Sequence, residues 1–159
     1  MRRNSRGAFL YEKSMSETFD RILLCYDATP EGQHALRCGA ALAKRLGAET
    51  HLLAIVGLAW WPAGYDAFSS MKFDVDEDAA KEILKEGIAK LESWGVAATG
   101  HFSVGSASGQ IACLANCLKA DLIVIGHRQG GFVTRWLAGG SHLELLERVS
   151  CGILFEVIG

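Results

Sequence analysis

Long hydrophobic runs are missing from this sequence: no apolar stretch reaches the ~20 residues a helix needs to cross a bilayer. An excess of charge of one sign is missing too. The net charge is −2 over 159 residues, so no broad basic surface is expected for nucleic acid or an anionic membrane. Paired cysteine motifs are absent. Cys25, Cys38, Cys113, Cys117 and Cys151 are an odd set with no CxxC. That pattern excludes a disulfide framework and suits reduced, buried thiols in a cytoplasmic protein. Cys113 and Cys117 stand four apart on an expected helix, yet no nearby histidine or third cysteine completes a tetrahedral metal set. Core packing is expected for both.

Familiar catalytic signatures are lacking as well. Neither GxGxxG nor GxxxxGK[ST] occurs, which removes support for Rossmann dinucleotide binding and Walker-type NTPase readings. GxSxG is absent, so no serine triad can be argued. His34, His51, His101, His127 and His142 show no HxH or HxxxH spacing, and no general base or metal site is assigned among them.

What is present is regular. The length suits a single domain able to bury one core. The basic opening segment, residues 1–18, is expected to be an arm outside the fold, with Met15 as an alternative start. "GAFLY" is too short for the apolar region of a secretory signal. From residue 19 the pattern alternates. "RILLCYD" reads as a strand. In "ATPEG", Thr29 is placed to cap a helix, with Pro30 at its first position and Glu31 at the positive end of the dipole. Gly47 closes that helix. "THLLAIV" is a second strand, followed by a long irregular stretch, "GLAWWPAGYDAFSSMKF". "DVDE" offers a capping box between Asp74 and Glu77, and Ala80, Ile83, Leu84, Gly87, Ile88, Leu91 and Trp94 form an apolar stripe. "ATGHFSV", "DLIVIG" and "GILFEVI" are further strands. A helix with Ile111, Leu114, Ala115 and Leu118 on one face lies between the first two of these, and another from about Ser141 to Val149 precedes the last.

Strands apolar on both faces, alternating with amphipathic helices, imply an α/β fold with a parallel sheet covered on both sides. Ligands then bind beyond the carboxyl ends of the strands, where strand order reverses. That rule selects Asp27, Ile55 to Gly57, Gly105 and the stretch "GHRQGGFVTRWLAGGSHLELL". A carboxylate at Asp27 can accept hydrogen bonds from an adenine amino group or a ribose hydroxyl, or from backbone N–H groups at the turn into the first helix. The two roles are compatible. Gly126 allows a sharp turn and close approach. Gly139, Gly140 and Ser141 open a helix whose free N–H groups suit an anion, and Arg128 and Arg135 could add charge. A plain strand-to-helix connection with a serine cap and two solvated arginines accounts for the same residues. Trp60, Trp61, Tyr65 and Phe68 make the loop at 57–73 either a lid, a partner-binding surface or a cover for the sheet edge.

The segments "RILLCYDATPEGQHALRCGAALAKRLGAETHLLAIV", "ADLIVIGHRQGGFVTRWLAGG" and "SCGILFEVI" together resemble the universal stress protein family, from Phe19 to Ile158. The resemblance implies one domain over 19–159. Its core is a five-stranded parallel sheet in the order 3-2-1-4-5 with helices on both faces, of the adenine nucleotide alpha hydrolase-like kind. It further implies a homodimer paired through the last strand, Gly152 to Ile158. Nucleotide-binding members carry G-x2-G-x9-G-[ST] after the fourth strand. Here Gly126 and Gly139 hold the outer glycine positions, while Gln129 and Gly140 replace the second glycine and the hydroxyl residue, with Ser141 one position late. Asp27 matches the adenine-side aspartate, Ile55 the second-strand backbone contact, and Arg128 falls between the first two glycine positions. Gln129 adds a side chain where close phosphate approach is needed, and Gly140 loses a donor worth on the order of 1 kcal/mol. The expectation is a cytoplasmic, stress-responsive binding or signalling module with a weak or lost ATP site and no efficient catalysis. The alternatives are an ATP-binding protein with slow ATPase or autophosphorylation activity, and an interaction protein acting through loop 57–73.

Overall fold

The computed structural model describes residues 19–57, 69–128 and 141–158. The elements, in order, are β1 (Arg21–Tyr26), α1 (Pro30–Leu46), β2 (Glu49–Gly57), α2 (Ser69–Ser93), β3 (Thr99–Gly105), α3 (Ala107–Leu118), β4 (Leu122–Arg128), α4 (Ser141–Arg148) and β5 (Gly152–Ile158). The strands form one sheet in the order β3-β2-β1-β4-β5, all pairs parallel. This is the expected topology. The arm at 1–18, the aromatics Trp60, Trp61, Tyr65 and Phe68, and the loop positions Gln129, Arg135, Gly139 and Gly140 lie outside the described residues.

The period of two along β1 divides the core. Ile22, Leu24 and Tyr26 face α1 and α2, packing with Leu36, Ala40, Leu52, Leu91 and Val124. Leu23 and Cys25 face α3 and α4, packing with Leu53, Ile55, Ile111, Ile123 and Leu145. Small residues bring the helices close. A Cβ on Gly39 would fall 2.4 Å from Leu24 Cδ2, and one on Gly87 would fall 2.7 Å from Leu52 and 2.9 Å from Tyr26. Over Gly87 the Tyr26 hydroxyl donates to Glu86 at 2.8 Å and accepts from Lys90 at 3.3 Å. Burial, then the bond to Glu86, pushes the Tyr26 hydroxyl pKa up. On the other face the buried Ser108 hydroxyl donates to Glu144 at 2.9 Å, tying α3 to α4.

Helix ends follow the local chemistry. Thr29 caps α1 by accepting from the Gly32 N–H, and Gly47 ends it at φ 64°. α2 departs from expectation. It begins at Ser69, so Asp74 and Glu77 lie inside the helix and form no capping box. Glu77 pairs forward with Lys81 at 2.6 Å, an i,i+4 contact, and the good helix formers Met71 and Lys72 let the helix extend back past Asp74. A second departure concerns Cys113 and Cys117, which are exposed. The buried face of α3 is Ser108, Ile111, Ala112 and Ala115. At about 100° per residue Cys113 points some 200° away from Ile111.

The amino end of the sheet holds a polar cluster that the scattered histidine positions concealed. Register aligns His51 of β2 beside Thr99 of β3, and Leu53 beside His101. The two imidazoles meet, with His51 Nδ1 3.1 Å from His101 Nε2. His51 Nε2 lies 2.9 Å from Glu49 Oε1, and Glu49 also accepts from Arg21 at 2.8 and 2.9 Å. With neutral rings, His51 donates to Glu49 and accepts from His101. Burial, then the neighbouring His51, lowers the His101 pKa. The unfolded chain therefore binds a proton at His101 more readily than the folded one. That contribution to stability is fully present above the unfolded value of about 6.5 and is lost as pH falls toward the lower folded value. His101→Gln is expected to flatten the dependence of the urea midpoint on pH between about 5 and 7. Parallel profiles for the two proteins would remove this assignment.

Candidate functional site

Strand order reverses between β1 and β4, so the crevice of this sheet lies at their carboxyl ends. The β1–β4 ladder stops at Leu24 and Val124, whereas β4 remains paired with β5 as far as Arg128 and Ile158. The opening between β1 and β4 receives the first turn of α1. Its shape is set by Asp27, Ala28 and Thr29. Ala28 takes the left-handed conformation at φ 59°, a strained value for alanine that recurs at functional turns. It turns the chain from β1 into the helix across the three residues Asp27, Ala28 and Thr29.

Asp27 is exposed and organises this turn. Its Oδ1 accepts from the Thr29 hydroxyl at 2.6 Å and the Thr29 N–H at 3.1 Å. Thr29 Oγ1 in turn accepts from the Gly32 N–H at 3.1 Å. The backbone role foreseen for Asp27 is thus real, and its exposure keeps the carboxylate within reach of a ligand. A Cβ at Gly32 would fall 2.3 Å from Asp27 Oδ1, so a side chain there would displace the carboxylate from its bonds to Thr29. Ile55 lies within β2 opposite Ser103, its side chain in the α3 and α4 core, so its backbone alone can serve a ligand.

Gly126 differs from its expected role. It is an interior residue of β4, paired with Glu156, and it is not among the positive-φ glycines of the described residues. It makes no turn. A Cβ at Gly126 would lie 2.2 Å from the Glu31 carbonyl oxygen and 2.8 Å from the Gly32 nitrogen. The first turn of α1 rests directly on the β4 backbone. Arg128 is the last residue of β4, and Ser141 is the first residue of α4. Asp27, Gly126 and Arg128 therefore come to the crevice end of adjacent strands, while Ile55 is one strand further over.

A second grouping escaped the spacing rules. His34 and Cys38 of α1 and Glu156 of β5 bring one donor atom each to within 4.8 Å of one another. His34 Nε2 is 3.6 Å from Glu156 Oε2 and 3.7 Å from Cys38 Sγ. The i,i+4 spacing of His34 and Cys38 was visible in the sequence. The third member became visible only once β5 was placed beside β4 with Glu156 level with Gly126.

The packing role of Gly126 is testable without a ligand. Gly126→Ala must push α1 off β4 and is expected to destabilise by about 1–3 kcal/mol or more, as overpacked cores do. Gly109→Ala, whose added Cβ would meet nothing closer than 3.7 Å, is expected to be neutral or stabilising by up to about 1 kcal/mol. Urea denaturation of both variants reads the difference. Equal midpoints for the two would show that α1 does not press on β4.

No helix among the described residues is long and apolar enough to cross a membrane. A search of curated proteins gives no match. Solved structures do match, at identities that speak to fold alone. The universal stress protein UspA from Lactobacillus plantarum is 20% identical with a TM-score of 0.66, over 86% of this chain and 97% of that one. A universal stress protein in complex with cAMP is 18% identical with a TM-score of 0.63, over 86% and 96%. The universal stress protein from Archaeoglobus fulgidus in complex with dAMP is 16% identical with a TM-score of 0.60, over 87% and 97%. The sequence model of the universal stress protein family matches residues 18–155. With the strand order, the crevice at β1 and β4 and a family match over most of its length, the chain belongs to the universal stress protein family.

Proposed function

We propose that this chain is a stress-responsive binding module whose crevice takes an adenine mononucleotide weakly and holds no triphosphate tightly. The observation that carries this reading is the contact at Gly126. The family glycine retained there is demanded by the Glu31 carbonyl behind it, so its presence does not call for a phosphate. On the adenosine side, the exposed Asp27 carboxylate and the Ile55 backbone would meet the base and ribose, Asp27 being open to solvent at the crevice end of β1. On the phosphate side, Gln129 and Gly140 stand where nucleotide-binding members have glycine and a hydroxyl residue, leaving Arg128, Gly139, Gly140 and Ser141 to supply charge and N–H donors. The two similar complexes named above hold cAMP and dAMP, both monophosphates. Five unbridged cysteines suit a reducing, cytoplasmic setting.

Release of bound nucleotide from the denatured protein, followed by calorimetry with AMP and ATP, tests the reading. The expected result is no stoichiometric nucleotide and affinities for AMP and ATP within about tenfold, or 1.4 kcal/mol. Stoichiometric ATP on release, or steady formation of ADP, would overturn it in favour of an ATPase. Restoring the motif with Gln129→Gly and Gly140→Ser is expected to tighten ATP binding by about tenfold or more, through one regained hydrogen bond to a charged oxygen. No gain in the double variant would mean that those two positions do not limit binding.

The same family reading includes a homodimer through β5. This strand forms an edge of the sheet, and Val157 on it is 49% exposed. An exposed apolar edge strand is a ready surface for pairing. Val157→Lys is expected to give a folded monomer by light scattering where the parent chain is a dimer. A dimer of unchanged mass in the variant would exclude β5 as the interface.

A further inference from the structure

We propose that His34, Cys38 and Glu156 form a binding site for a zinc-class divalent cation that links α1 to β5, separate from the nucleotide crevice. The donor set is an imidazole nitrogen, a thiolate sulfur and a carboxylate oxygen. Zinc binds all three, at about 2.0–2.3 Å. At a tetrahedral angle, those bond lengths put neighbouring donors roughly 3.3–3.8 Å apart. The His34–Glu156 and His34–Cys38 separations of 3.6 and 3.7 Å fall within that range. The third pair, Cys38 with Glu156, lies within 4.8 Å, so closure takes about 1 Å of side-chain adjustment.

The backbone holds these donors in place. His34 and Cys38 stand one helical turn apart on the same face of α1. α1 is pinned to β4 through the Gly126 contact, and Glu156 is the β5 residue paired with Gly126. The helix and strand that carry the ligands are therefore fixed to each other by a backbone contact that needs no metal. His34 also lines a surface groove with Arg37, Trp94 and Ile158, which gives an ion a path from solvent. Three protein ligands leave a fourth position for water. A set containing thiolate and imidazole disfavours magnesium and calcium, which require oxygen donors. Burial and the Glu156 charge push the Cys38 thiol pKa up, so binding must displace the thiol proton, which passes to the buffer.

Zinc chloride titrated by calorimetry into the full chain, free of any histidine tag, tests the site. Cys113→Ser and Cys117→Ser should be present in every sample, because those exposed thiols also lie four apart. One zinc per chain is expected, with a thiolate-to-cobalt absorption band when cobalt(II) replaces it. Cys38→Ser should abolish the band. Cys38→Ser, His34→Gln and Glu156→Gln should each weaken zinc at least about tenfold, as loss of a ligand requires. Each should also lose the rise in thermal midpoint that zinc gives the parent. Circular dichroism of the metal-free variants confirms that they are folded. Parent-like zinc affinity in both folded Cys38→Ser and His34→Gln, or no binding by the parent, overturns the site. AMP affinity should be the same in Glu156→Gln as in the parent, which separates failure of this site from failure of the crevice.

Discussion

The backbone of α1 rests on the backbone of β4, and much of the molecule is arranged around that contact. At Gly126 the distance between strand and helix is set by the Glu31 carbonyl and Gly32 nitrogen. A side chain at Gly126 would lift the helix from the sheet, and one at Gly32 would collide with the Asp27 carboxylate that organises the turn. The start of α1 has to be fixed to within a residue for this to work. Asp27, the left-handed Ala28 and the Thr29 cap supply that precision through short local bonds. Once α1 is seated, Leu36, Ala40 and Ala43 meet Ile22, Leu24 and Val124, and one face of the core closes. The other face closes independently around Leu53, Ile123 and Leu145.

This arrangement makes the same residues serve packing and ligand access. Asp27 holds the Thr29 turn and also reaches solvent at the crevice. Gly126 is retained for reasons of space that hold whether or not a phosphate is bound. A motif glycine therefore carries less information about ligands than the residues around it. Gln129 and Gly140 lie outside the described residues, and their weight comes from their departure from the family motif alone.

Much of the fold was legible in the sequence because the signals were local and mutually consistent. Thr29-Pro30-Glu31 announces the start of α1, and Gly47 its end. The apolar runs in "RILLCYD" and "DLIVIG" read as buried strands of a parallel sheet, since neither shows a polar face. Other features depend on distance in space. Glu77 looked like a cap partner because Asp74 precedes it by three residues; its actual partner, Lys81, lies on the other side. Cys113 and Cys117 looked apolar enough for the core, but helical phase turns them outward. The groupings of His51 with His101, and of His34 and Cys38 with Glu156, require the register of β2 with β3 and of β4 with β5. No spacing rule applied to the chain alone contains either register.

The cysteines, finally, are distributed by depth. Cys113 and Cys117 are exposed, Cys38 and Cys151 are partly covered, and Cys25 is sealed in the sheet. Burial, and then Asp27, also drives the Cys25 thiol far from its reactive form. Alkylation rates across these five positions thus grade the molecule from surface to centre. Modification of Cys113 reports the presence of a thiol, whereas modification of Cys25 reports the opening of the central strand. The chain carries its own set of depth gauges, with no probe needing to be engineered into it.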